Sequence, residues 1–365
     1  MGRDLDEQYM RMALDLAIRG AGRTSPNPMV GAVVVRGGRT VGRGYHRRAG
    51  GDHGEIVALK RAGKRAQGAT LYLNLEPCTH HGRTPPCTPT VIQSGVKRVV
   101  VGMMDPNPRV AGRGIRRLRQ AGIRVQVGVL EPECRKINEA FIKHIRHRIP
   151  FVILKLAATL DGKIASSTGD SQWVTGNAAR RYVHQMRDRV DAVVVGVGTV
   201  LADNPKLTCR ITGGRDPFRI VLDSRLHIPV GAHLLRQRQK EKNIIATGPR
   251  ASSVKVKRIE RSGARVWRFP LRGGTIPFNA LLKRLGAEGF LSIMIEGGGI
   301  TAARALKEGV VDQVVFFYAP KIIGGEGRGM VDHLGIRKMS RSKMIKEVET
   351  RRFGQDIMVT GYVRK

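Results

Sequence analysis

Acidic residues are scarce in this chain of 365: 29 Asp and Glu stand against 65 Lys and Arg, giving a formal net charge of +36. Aromatic residues are scarce as well, at 5%. Excess positive charge by itself points to a polyanionic partner such as nucleic acid, but base-stacking platforms need aromatic side chains interleaved with the basic ones, and none is evident. The excess is also spread along the chain, with +16 in residues 1–150 and +20 in 151–365, unlike a dedicated basic arm. Nucleic acid is therefore not expected as a partner, and the sequence gives no other reason for so high a charge. Cysteine occurs four times, as Cys78, Cys87, Cys134 and Cys209, too rarely and unevenly for a disulfide scaffold. Thiolate or metal chemistry is the better use for the close pair. No run approaches the ~20 apolar residues of a membrane span. Asp4, Asp6 and Glu7 precede any apolar run, unlike a signal or transit peptide, so a cytoplasmic protein without a membrane partner is expected.

What is present reads as two α/β domains, the number expected from the length. Met10, Ala13, Leu14, Ala17 and Ile18 recur at helical spacing across 6–21. VGAVVVRGG and TVGRGYH then read as a hairpin around Gly37-Gly38. DHGEIVALKRAG reads as a helix with Asp52 at its N-cap and its end at Gly63. Strand and helix alternate from there to about residue 127, which predicts a three-layer domain with a mostly parallel sheet after the hairpin. CRKINEAFIKHIRHRIP reads as one basic helix ending near Pro150, and new β-rich runs start at FVILKLA, so the boundary is expected at 145–150, with domains 1–147 and 148–365. Further apolar runs at 192–197, 219–223, 243–247, 291–297, 313–320 and 357–363, with helical stretches between some of them, suit a second α/β domain. Residues 250–275 are Arg-rich and weakly patterned, as in a loop-bearing insertion.

The chemistry-bearing residues of the first half are His53, Glu55, Cys78 and Cys87. One imidazole and two thiolates are three N/S donors, the set with which a catalytic zinc site leaves its fourth position to water. Glu55, two residues beyond the His, can move a proton from water to a leaving amine without binding the metal. H-x-E followed by P-C-x-x-C is the signature of zinc deaminases acting on nucleobases. Here His53-Gly54-Glu55 is present, but eight residues instead of two separate the cysteines. A compact loop through Gly82, Pro85 and Pro86 would return both sulfurs to one metal. Singly, His53 reads as a helix cap, Glu55 as solvated and the cysteines as small buried residues; in this order, the four together point to zinc.

The runs TSPNPMVGAVVV, GYHRRAGGDHGE, LEPCTHHGRTPPC and VGMMDPNPRVAGRGI closely resemble the deaminase domain of the bifunctional riboflavin-biosynthesis deaminase/reductase family. KLAATLDGKIA, DSQWVTG, GVGTVLADNPKLTCR, LDS, IEGGG and APKIIGG resemble its reductase domain, and the likeness spans roughly 6–363, least convincingly at 235–280. The resemblance implies a cytidine-deaminase-like domain followed by a dihydrofolate-reductase-like domain. The implied reactions are hydrolytic deamination of a phosphoribosylated diaminopyrimidinone, then NADPH-dependent reduction of its ribosyl group to ribityl. It implies Zn2+ on His53, Cys78 and Cys87 with Glu55 as proton shuttle, and Asn27, His46, His80 and Arg83 around the substrate. In the second domain it implies Ala157, Trp173, Thr199, Asp203, Ser224, Gly298 and Gly299 against NADPH, and Ser171, Arg187, Leu207, Arg210 and Glu296 against substrate. Arg187 and Arg210 suit a bidentate grip on the substrate phosphate, and Trp173 offers a flat face to a cofactor ring. Lys155 is a candidate to polarise or protonate the sugar carbonyl, or equally an ion-pair partner of Asp161. A homo-oligomer, dimer or tetramer, is the expectation for such an enzyme.

Overall fold

Valine-rich runs with both faces covered become the central strands. A computed structural model describes residues 2–80, 85–108 and 110–364. Its chain forms two units, residues 1–148 and 149–365.

The first unit begins with helix α1 (Gly2–Ile18), followed by β1 (Gly31–Arg36), β2 (Arg39–Tyr45), α2 (Gly54–Ala62), β3 (Thr70–Leu75) and α3 (Cys87–Gln93). β4 (Arg98–Met103), α4 (Arg113–Gln120), β5 (Arg124–Val127), α5 (Glu131–Ile137) and α6 (Glu139–His147) complete it. The sheet order is β2-β1-β3-β4-β5. β1 runs antiparallel to both β2 and β3, whereas β3, β4 and β5 are parallel. Gly37 and Gly38, both at positive φ, make the two-residue turn of the hairpin. Alternation along β1 sorts the core into two layers. Ala32 and Val34 pack with Ala58, Leu71, Val91 and Leu118 on one face, and Val33 and Val35 with Met10, Ala13, Val100 and Cys134 on the other.

Two expectations are corrected here. The N-cap of α2 is His53, not Asp52, whose carboxylate pairs instead with Lys60 at 2.6 Å. The basic helix before Pro150 is two helices broken at Asn138 (φ −107°), whose buried amide accepts from Met29 N at 2.8 Å and donates to Met29 O at 3.0 Å. A side chain that bonds a remote backbone segment competes with helix continuation, a signal that periodicity does not carry.

The second unit runs β6 (Phe151–Thr159), β7 (Lys163–Ala165), α7 (Asn177–Arg189), β8 (Ala192–Gly196), α8 (Val197–Asp203), β9 (Phe218–Leu222), α9 (His233–Arg236) and β10 (Asn243–Thr247). It continues with α10 (Ser253–Arg261), β11 (Arg265–Arg268), α11 (Phe278–Ala287), β12 (Ser292–Ile295), α12 (Gly299–Lys307), β13 (Gln313–Ala319), β14 (Arg328–Gly329), β15 (Ile345–Phe353) and β16 (Asp356–Val363). Nine strands form one sheet in the order β11-β10-β9-β8-β12-β6-β13-β16-β15. It is parallel from β11 to β13 and antiparallel through β16 and β15. Val152, Leu154, Val194 and Ile220 pack under α11 and α12, and Val193, Val195, Val221 and Met294 pack on the opposite face with α9 and α10. Residues 250–275 are not an insertion. They supply α10 and the edge strand β11, where Trp267 is buried beneath the Arg284 guanidinium, 4.2 Å from the ring centroid.

Candidate metal centre and reductase cavity

Local packing delivers the metal-site residues to one place. Gly44 on β2 lets α2 approach closely, since a Cβ there would lie 2.3 Å from Gly54 O. The start of α2, with His53 and Glu55, is thereby pressed against the strands. Cys78 follows β3, and Cys87 opens α3. The loop between them is closed by Thr88, whose N–H and hydroxyl both donate to Cys78 O at 3.2 and 2.8 Å, and by Cys87 N donating to Cys78 Sγ at 3.3 Å. Eight intervening residues therefore still return both sulfurs to one point.

His53 Nδ1, Cys78 Sγ and Cys87 Sγ lie within 4.8 Å of one another. The imidazole nitrogen is 3.1 Å from Cys87 Sγ and 3.7 Å from Cys78 Sγ. Tetrahedral zinc, with bonds of about 2.0–2.3 Å, sets its ligand atoms roughly 3.5 Å apart, so this donor set fits the ion. The hydrogen bond from Cys87, joined by His53, holds the Cys78 thiol well below its usual range against the opposing effect of burial. The bond to Cys78 and burial push Cys87 up, and the bond to Cys78 raises His53. Glu55 is 2% exposed, its Oε2 has no hydrogen-bond partner, and burial raises its carboxyl. A buried carboxyl that favours its protonated form beside three metal donors is equipped to hold and release a proton.

Asn27 and His46 stand next to this cluster. The Met29 backbone is clamped by Asn74 and Asn138. Asn27 Nδ2 contacts His46 Nε2 at 3.1 Å, and the His46 ring meets His53 edge-on at 5.1 Å between centroids. Because Asp52 O can only accept, His46 Nδ1 carries the hydrogen in their 3.0 Å bond, leaving Nε2 to accept from Asn27. Burial lowers His46, which favours this neutral form. His80 is exposed and near enough to Asp105 to favour that residue's charged form. Arg83 lies outside the described residues.

Sequence reasoning missed two carboxylates here. Glu76 accepts four backbone N–H groups: Asp105 and Gly112 on Oε2 at 3.1 and 3.0 Å, Gly114 and Ile115 on Oε1 at 2.9 and 3.2 Å. It caps α4 and ties the segment after β4 to Pro77. Asp105 is buried in that segment, and desolvation pushes its carboxyl up to about 6. The only hint in the sequence was the LEPC run itself.

The second unit contains a cavity of about 1030 Å³. Of the residues singled out, Ala157, Ser171, Trp173, Arg187, Thr199, Asp203, Arg210, Glu296, Gly298 and Gly299 line it, as does Lys155. Leu207 and Ser224 do not. Leu207 is 3% exposed in the core beside Val195, and Ser224 receives Gly248 N on its carbonyl. Gly299 opens α12 where β14 crosses, since a Cβ there would stand 2.6 Å from Gly329 O. Trp173 is not core; it is 57% exposed, with the Arg180 guanidinium 4.5 Å from its ring centroid.

Arg187 meets Glu296 in a bidentate pair at 2.7 and 2.9 Å and donates also to Thr208 O at 3.0 Å, so the fork expected on a phosphate is already on a carboxylate. Lys155 Nζ is 3.9 Å from the same Glu296, which decides its partner, for Asp161 bonds instead to Thr159 and to the Ile323 and Gly324 amides. Arg187 and Lys155 hold Glu296 down at about 2 despite its burial, and desolvation lowers Lys155. His184, Arg180, Arg304 and Arg328 also line the cavity; no motif had marked them.

Comparison with known proteins agrees with this geometry. Residues 3–103 match the cytidine and deoxycytidylate deaminase zinc-binding region, and residues 150–359 match the RibD C-terminal domain. Riboflavin biosynthesis protein RibD of Aquifex aeolicus is 44% identical, covering 98% of this chain and 99% of that one. The chain belongs to the RibD family. The RibD of Synechocystis is 46% identical over 98% of this chain and 96% of its own length. Among solved structures, Acinetobacter baumannii RibD covers all of both chains at a TM-score of 0.90 and 35% identity. The Thermotoga maritima diaminohydroxyphosphoribosylaminopyrimidine deaminase/5-amino-6-(5-phosphoribosylamino)uracil reductase does so at 0.87 and 38%. Like RibD proteins generally, the chain is a bifunctional deaminase and reductase of riboflavin biosynthesis. Among its described residues no helix is long and apolar enough to cross a membrane.

Proposed function

We propose that the first unit, from the start of the chain to about residue 147, deaminates 2,5-diamino-6-(5-phosphoribosylamino)pyrimidin-4(3H)-one, and that the second then reduces the ribosyl group to ribityl with NADPH. The observation that carries the reading is the meeting of His53, Cys78 and Cys87 beside a buried carboxyl with an unpartnered oxygen. Those three residues would hold zinc, which would supply the Lewis acidity for activating water at the amine-bearing carbon. Glu55 takes the proton of the attacking water and hands it to the departing amine, which leaves as ammonia while the ring carbon keeps the oxygen. Asn27, His46 and His80 surround the pyrimidine or its ribose phosphate, a role that the family resemblance gives also to Arg83, outside the described residues.

In the second unit NADPH would be held by Ala157, Trp173, Thr199, Asp203 and the Gly298–Gly299 turn of the cavity wall, and would supply the hydride. The N-terminus of α12, which lines the cavity, would offer backbone N–H groups to its phosphates. Ser171, Arg210 and the Arg187–Glu296 pair hold the substrate, with Arg210 on its phosphate. Lys155, half-buried and with its ammonium lowered by desolvation, gives a proton or hydrogen bond to the sugar oxygen. The protein works as a homo-oligomer, dimer or tetramer, in the cytoplasm, without nucleic acid. Its free thiols and nicotinamide chemistry suit a reducing compartment.

The test supplies the diaminopyrimidine ribosyl phosphate with and without NADPH. Ammonia release without NADPH, and nicotinamide oxidation only after deamination, is the expected result. Ammonia release from single-stranded RNA or DNA, with none from the small molecule, would overturn it.

A further inference from the structure

Arg210 sits in an irregular loop between α8 and β9 and is itself exposed, yet the loop is pinned at successive residues. Leu207, at φ +52°, is buried in the core. The Thr208 carbonyl accepts from Arg187, Cys209 N donates to Asp216 Oδ1 at 2.7 Å, and Cys209 Sγ donates to His184 O at 3.3 Å. The last fastening is made by the imidazole of His184. Arg210 N stands 3.3 Å from His184 Nδ1, and Arg210 Nε stands 3.3 Å from His184 Nε2. Both residues line the cavity.

We infer that His184 is a positioning residue for Arg210, its ring nitrogen accepting an Arg210 N–H so that helix α7 presents the guanidinium to the substrate phosphate. The inference rests on the reading of Arg210 as the phosphate ligand. A neutral imidazole has one bare nitrogen, which takes either the backbone N–H or the Nε–H of the same residue, so one end of Arg210 is held in either tautomer. The groups facing the ring keep it neutral. Burial, then Arg187 on its own helix and Arg210 from the loop, push it down to about 4, against Glu296 at the end of β12 and the Thr208 backbone, which favour its charged form. A guanidinium fixed before the ligand arrives loses less freedom on binding. His184 thus acts on affinity for the phosphorylated substrate and leaves hydride transfer alone.

The test is steady-state reduction of the deaminated ribosyl phosphate by the full chain and its variants. His184→Leu is expected to raise KM about tenfold with kcat changed less than about threefold. His184→Gln, which keeps one acceptor, should recover most of that loss. On an Arg210→Ala background, His184→Leu should add nothing further. With the analogue lacking the phosphate, wild type and His184→Leu should share one KM, which a general structural lesion would not allow. A full tenfold effect of His184→Leu on the Arg210→Ala background, or on the unphosphorylated analogue, would overturn the inference while the role of Arg210 stands. An unchanged KM in Arg210→Ala would instead remove the reading beneath it. Should His184→Leu fail to bind NADPH by nicotinamide fluorescence, His184→Gln carries the test, and a KM as high as that of Arg210→Ala overturns the inference.

Discussion

Single carboxylates set the chemistry at the residue scale. Glu55→Gln removes the proposed proton carrier and leaves all three metal donors in place. Ammonia release should fall by about 10²–10⁴, with zinc content by elemental analysis unchanged; persistent turnover would assign the proton to another group. Glu296 is a counter-charge for two cations, Arg187 and Lys155, whose side chains are only 12% and 14% exposed. Glu296→Gln strands both, at a cost of about 3–5 kcal/mol. Its carboxyl is depressed from the usual 4.5 to about 2, so its stabilisation is present above pH 4.5 and lost as pH falls through 2. Urea midpoints for the second unit should therefore differ widely at neutral pH and converge toward pH 2; a constant gap would exclude ionic stabilisation.

The donors His53, Cys78 and Cys87, with Glu55 beside them, stood out in the sequence because they are rare side chains in a set order, whereas those residues of the second unit's cavity that were singled out were marked by family resemblance alone. Leu207 and Ser224 were not placed in the cavity by the fold, and Arg187 was matched to a phosphate when its nearest partner is a carboxylate 109 positions away. No local pattern reports a partner so distant.

At the scale of elements, what matters is how loops are tied to helix ends. Glu76 satisfies four amides around the start of α4, among them N–H groups that a helix leaves without partners. Glu76→Gln substitutes one donor for an acceptor and removes the charge, so the first unit should lose about 2–3 kcal/mol, read from its urea midpoint. Because the segment from Asp105 to Ile115 is thereby loosened beside Cys78, zinc should also leave more readily to a chelator; unchanged chelation kinetics would separate α4 capping from the metal site. The amphipathic helices and valine-rich strands were readable from period alone. The break at Asn138 and the edge strand β11 were not, since one depends on Met29 across the unit and the other on sheet pairing with β10.

For the whole molecule the outstanding quantity is charge. With 65 basic residues against 29 acidic ones, like charges must lie near one another on both units. Their repulsion opposes the compact state. Thermal midpoints should accordingly rise as sodium chloride goes from about 20 to about 200 mM, where the Debye length shortens from about 20 Å to below 10 Å. A fall would mean that exposed ion pairs such as Lys60–Asp52 outweigh the repulsion. Neither reaction accounts for +36, since each site handles only a few phosphates.

The order of donors along the chain, the hydrophobic periods and the strand-turn-helix segments were written in the sequence, because each depends on neighbours a few residues apart. Which carboxylate faces which cation, how an eight-residue interval closes on one metal, and what holds Arg210 in place were decided by tertiary structure. Those are contacts between elements remote in the chain, and their energies exist only once the sheets bring the elements together.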